Sequence, residues 1–100
     1  MSMRLSRLQK YILDVCFDRR YAKIERAIFL KYYSHFAKKA QKQDQISAIT
    51  KSLERLIKNG IVIGYGEITQ NKIYIEKIRL TPIGRKLIKK ILGEQKKLPL

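Results

Sequence analysis

The chain is 100 residues long and carries 23 Lys plus Arg against 8 Asp plus Glu, a net charge of +15, with 45% hydrophobic residues. That length holds one domain around one core, and the 31 Leu, Ile, Val and Phe residues are too many for a charged chain that stays disordered. The longest run free of charge, Asn59 to Gly66, is eight residues against the roughly 18 of a membrane span, and Arg4, Arg7 and Lys10 interrupt any signal-like apolar stretch, so a cytoplasmic location is expected.

Leu5, Leu8, Ile12, Val15 and Cys16 recur at steps of three and four, which predicts a first helix over Leu5 to Phe17. Ser6 caps it or sits in its first turn, and Asp18, Arg19 and Arg20 form its polar exit. Ile28, Leu30, Tyr32, Tyr33 and Phe36 predict a second helix from Glu25 to about Lys39. Tyr32, Tyr33 and Phe36 are expected to pack in the core, but in an α-helix Tyr32 and Tyr33 cannot both point inward, which leaves one of them to face a partner. The polar run from Lys38 to Asp44 predicts a turn or a frayed helix end.

Asp44 is a good N-cap for a third helix over 44–59, with Ile46, Ile49, Leu53, Leu56 and Ile57 as its core face. Asn59 and Gly60 end it, because Gly adopts the left-handed conformation that closes a helix. Ile61 to Ile68 and Lys72 to Leu80 predict an antiparallel hairpin turning at Thr69, Gln70 and Asn71. Thr81 as N-cap and Pro82 in the first turn open a fourth helix with the stripe Ile83, Leu87, Ile88, Ile91 and Leu92, and Gly93 ends it. Residues 1–93 thus form the domain and 94–100 a mobile basic tail. Cys16, the single cysteine, allows no internal disulfide and is expected to be a buried apolar side chain.

Helix, helix, helix, hairpin, helix in a basic chain suggests an α+β, mainly α, winged helix-turn-helix: three helices, a β-hairpin wing and a C-terminal helix. Residues 49 to 62, Ile-Thr-Lys-Ser-Leu-Glu-Arg-Leu-Ile-Lys-Asn-Gly-Ile-Val, resemble the recognition helix and first wing strand of prokaryotic winged-helix transcription regulators. Leu80-Thr81-Pro82-Ile83-Gly84-Arg85 resembles the wing exit of the same families. The short strand usual before the second helix is not evident between Arg19 and Lys42. The resemblance implies sequence-specific DNA binding.

The residues support that expectation independently. An excess charge of +15 is easiest to understand if a polyanion neutralises it in use, and nucleic acid fits better than lipid. With the Ile and Leu stripe inward, the third helix turns Ser47, Ala48, Lys51, Arg55 and Lys58 outward, with Glu54 at the edge and Ser52 beside them. Lys and Arg can donate to guanine in the major groove, and small residues permit close approach, with Gln45 and Ser47 entering deepest. Gln70, Asn71 and Lys72 at the wing tip, and Lys38, Lys39 and Lys42 before the helix, are placed for phosphate contact. Arg85, Lys86, Lys89 and Lys90 either extend this basic surface or form a solvated face.

Nothing in the sequence has a catalytic or metal-ligand spacing, and His35, the only histidine, has no acid or nucleophile near it in sequence. A non-enzymatic protein without metal, cofactor or small-molecule ligand is expected. The first and last helices carry more apolar surface than a three-helix core requires, which predicts a homodimer presenting two half-sites. An RNA-binding protein of ribosomal type and a protein-interaction module are the competing expectations. The 15 Ile against 2 Val suggest an AT-rich genome, archaeal or viral.

Overall fold

Among the residues described by the computed structural model, 5–19, 22–36, 38, 40–70 and 73–95, the chain runs α1 (Arg7–Asp18), β1 (Ile24–Glu25), a 3-10 helix (Arg26–His35), α2 (Lys42–Lys58), β2 (Val62–Ile68), β3 (Ile73–Leu80) and α3 (Pro82–Gln95). Ser6 does cap α1. Its hydroxyl accepts from Gln9 N at 3.1 Å, and the Gln9 side chain accepts in return from Ser6 N at 2.9 Å. Two otherwise unpaired amides are satisfied reciprocally.

The region between α1 and α2 departs from the sequence reading. Ile24 and Glu25 form a short strand paired with Ile78 and Lys77 of β3. Two residues carry no alternation, so a strand this short leaves no periodic trace. The segment after it is a 3-10 helix and not the expected α-helix. With about three residues per turn, Arg26, Phe29 and Tyr32 share a face, and the fully buried anchor is Phe29, whereas Ile28, Leu30, Tyr32 and Tyr33 are half-buried and Phe36 is exposed. Tyr32 packs against Tyr11, Tyr33 and Phe36 with ring centroids 5.3, 5.2 and 5.1 Å away. Both tyrosines are partly buried and pack against the core, where the sequence reading left one of them to face a partner. Burial, and secondarily Tyr32, hold the Tyr33 hydroxyl above its ordinary pKa.

α2 starts at Lys42, two residues before the expected cap, with Gln41 in the N-cap position and Asp44 in the first turn. There its carboxylate meets the positive end of the helix without capping it. Ile49, Leu53 and Leu56 are buried and Ile57 half-buried, but Ile46 is 41% exposed, a correction to the expected core face. Ile46 lies at the stripe's edge, facing the hairpin across a cleft. The end of α2 is as the sequence predicts. Gly60 takes φ 74°, Ile61 N donates to Leu56 O and Gly60 N to Ile57 O, each at 3.0 Å, closing a Schellman motif.

β3 is the central strand of an antiparallel sheet ordered β1-β3-β2. The hairpin runs from Val62 opposite Leu80 to Ile68 opposite Ile73, with a bulge beside Tyr65 and Gly66. Thr81 then joins three elements: its hydroxyl lies 2.7 Å from Gly60 O and 2.8 Å from Ile61 O, and it accepts from Gly84 N at 3.0 Å. Gly84 is held to glycine because a Cβ there would collide with the Ile61 carbonyl oxygen. α3 continues through Gly93 to Gln95, so Gly93 does not end it; among the described glycines Gly60 alone has positive φ. Glycine in a helix interior costs only about 1 kcal/mol, which continued hydrogen bonding offsets.

The core joins Leu8, Ile12, Leu13 and Cys16 of α1, Ile24, Phe29, the α2 stripe, Ile61, Val62, Ile75, Ile78, Leu80 and Ile88. Burial pushes the Cys16 thiol up to about 12. Ile83, expected in the α3 core stripe, is 68% exposed, with Leu87 and Ile91 half-buried beside it and Ile88 buried. The architecture is an α+β, mainly helical winged helix. Among the described residues no helix is long and apolar enough to cross a membrane.

Candidate nucleic-acid interface

The buried stripe of α2 fixes what its other side presents. Lys51, Arg55 and Lys58 are exposed there with Ser47, and Glu54 is the carboxylate among them. Lys42 and Lys38 are exposed at and before the start of the helix. Ala48 and Ser52 are half-buried, and Ala48 packs against the core. That is a correction for Ala48, which lies on the core flank of the face and not in its centre. Gln45 is half-buried too, its side-chain amide donating to Ala40 O at 2.8 Å. The first turn of α2 is thus tied to the segment before it.

Between α2 and the hairpin lies an open cleft of about 1030 Å³. Ser47, Lys51 and Lys58 line one wall, Gln70 and Tyr74 the other, and Gly64 and Gly66 lie where β2 passes beneath. Gln70 and Glu67 are exposed toward the wing tip. Lys39, Asn71 and Lys72 lie outside the described residues, as does the side chain of His35.

Arg26 fixes the angle between these walls. Its Nη1 donates to Ile75 O on β3 at 3.2 Å, and its Nη2 donates to Ile46 O at 3.3 Å and to the Thr50 hydroxyl, both on α2. One planar guanidinium therefore joins the 3-10 helix, α2 and the sheet, using the fixed fork of donors that lysine lacks. The sequence reading missed Arg26. Its partners lie 20, 24 and 49 residues away, beyond any local periodicity.

Among the described residues no group of three His, Cys, Asp or Glu could hold a metal ion. Arg85, half-buried on α3, has its guanidinium 5.5 Å from the Phe17 ring centroid, so it braces α3 on α1, whereas Lys86, Lys89 and Lys90 are exposed.

No protein-family model and no curated protein matches the sequence. The fold is similar to the solved structure of a Lactococcus lactis ZitR double mutant, with a TM-score of 0.64 and 15% identity over 94% of this chain. The chain spans 55% of the ZitR chain. At that identity the likeness is one of fold alone.

Proposed function

We propose that this protein binds double-stranded DNA sequence-specifically as a transcription regulator, with α2 in the major groove and the β2–β3 wing along the neighbouring backbone. The observation that carries this is the exposed face of α2, where Ser47, Lys51, Arg55 and Lys58 stand clear of the core beside an open cleft. Lys51 and Arg55 donate to base edges or phosphates and Ser47 approaches the bases, with Gln45, Ala48 and Ser52 at the flank. Lys38, Lys39 and Lys42 hold the backbone on one side of the helix, and Gln70, Asn71 and Lys72 hold it on the wing side, where Glu67 repels phosphate. The winged-helix fold agrees with this role.

A second copy pairs through α1 and α3, where Ile83, Leu87 and Ile91 form a partly exposed stripe. Two recognition helices then face half-sites about one DNA turn apart. Selection of bound duplexes from a random pool, with light scattering for mass, tests both parts. Affinity should fall by about 10³ to 10⁵ between 50 and 200 mM salt if 6 to 10 phosphates are met. Lys51→Ala with Arg55→Ala should lose at least about tenfold. A flat salt response, an unchanged double variant, or displacement of duplex DNA by structured RNA would overturn the proposal.

A further inference from the structure

The sheet has a second charged face, turned away from α2. A Cβ at Gly64 would lie 2.6 Å from Ile57 Cδ1 of α2, so Gly64 points toward the recognition helix and strand alternation turns Ile63 and Tyr65 the other way. On β3, Ile78 and Leu80 are buried, which turns Lys77 and Arg79 outward, and on β1 Glu25 faces outward in register with Lys77. The Lys23 ammonium lies 4.3 Å from the Tyr65 ring centroid and the Arg79 guanidinium carbon 6.0 Å from it.

Two cations are thereby gathered around a neutral ring, whose negative face attracts them, and Lys77 stands opposite Tyr65 in the β2–β3 register. Glu25, Glu76 at the bulge and Glu67 toward the wing tip are the exposed carboxylates of these strands. Yet among the described residues none of Lys23, Lys77 and Arg79 has a carboxylate within 4.0 Å. Lys23, Lys77 and Ile63 are exposed on this face, with Tyr65 and Arg79 half-buried between them. Among the described residues Ile63 is the one aliphatic side chain exposed on it for a membrane to take up, whereas clustered cations without carboxylate partners suit a phosphodiester backbone.

We propose that this outer sheet face is a second DNA-backbone contact, taking a further duplex while α2 holds the first, so that one molecule bridges two DNA segments. This rests on the function proposed above. The test immobilises one duplex on beads, saturates it with the full chain and measures capture of a second, fluorescent duplex. Wild type should capture it. Lys23→Ala, Lys77→Ala and Arg79→Ala together should keep single-duplex affinity within about threefold and lower capture at least about tenfold. Lys77→Glu alone, at an exposed position, should lower capture in the same direction and covers the case in which the triple variant fails to fold.

Capture that is absent in wild type, or unchanged in Lys77→Glu and in a folded triple variant, overturns the inference. Capture that survives the triple variant but disappears with Lys51→Ala and Arg55→Ala assigns bridging to two α2 faces of a dimer, overturning the inference and leaving the proposed function intact. Single-duplex affinity unchanged by that double variant removes both.

Discussion

α2 and the 3-10 helix are neighbours in the fold and opposites in how they are specified. α2 has 17 residues, a buried stripe at helical spacing and a Schellman stop at Gly60. Its outward face follows from its inward one. The 3-10 helix has ten residues, one fully buried anchor in Phe29, and a tie to the rest of the molecule through Arg26. Its side chains fall on threefold faces, and the contacts that hold it come from residues remote in sequence. A helix that presents functional groups can be written locally, whereas its orientation against the wing is held from outside.

The sharpest way to break this comparison is to empty each anchor. Phe29→Ala and Leu53→Ala should each cost about 3–5 kcal/mol, measured by denaturant unfolding, because both side chains are fully buried. If Phe29→Ala costs far less, the 3-10 helix is not anchored there.

A second test uses pH on α1, which packs against both segments. The Cys16 pKa is raised from 9.0 to about 12 in the fold, so the native state keeps the thiol protonated where the unfolded chain ionises. Stability from this group is fully present below the unfolded value and is lost as pH rises toward the folded one, by up to about 1.4 kcal/mol per pH unit. Between pH 9 and about 12, Cys16→Ala should show a shallower decline than wild type in parallel unfolding series.

Arg26→Ala removes three donated bonds and should cost about 1–3 kcal/mol, with weaker DNA binding than the loss of stability accounts for, because the angle between α2 and the wing is released. Arg26→Lys should recover only part of that binding. Equal binding by Arg26→Ala at temperatures where it is folded would show that the angle is set elsewhere.

Gly60→Ala, placing a Cβ at φ 74°, should cost about 1 kcal/mol and read out as a lower Tm. The smallest expected change in stability is that of Lys51→Ala with Arg55→Ala, within about 0.5 kcal/mol, since both are exposed. A folded, equally stable double variant with lost affinity separates the surface from the scaffold.

The sequence by itself determined α1, α2, the hairpin and α3, because each is carried by a periodic apolar pattern or by a local cap or stop: Ser6, Gly60, Thr81 with Pro82. It also determined which face of α2 is free, since the burial of Ile49, Leu53 and Leu56 leaves Lys51, Arg55 and Lys58 outside. Only the tertiary structure decided that Ile24 and Glu25 pair with β3, that the following segment is a 3-10 helix anchored by Phe29, and that Ile46 and Ile83 stay exposed. It alone brought Arg26 to Thr50 and Ile75, and Lys23 to Tyr65. Periodicity reports a residue's relation to its own axis; where one element docks on another depends on contacts between residues far apart along the chain, which no local pattern encodes.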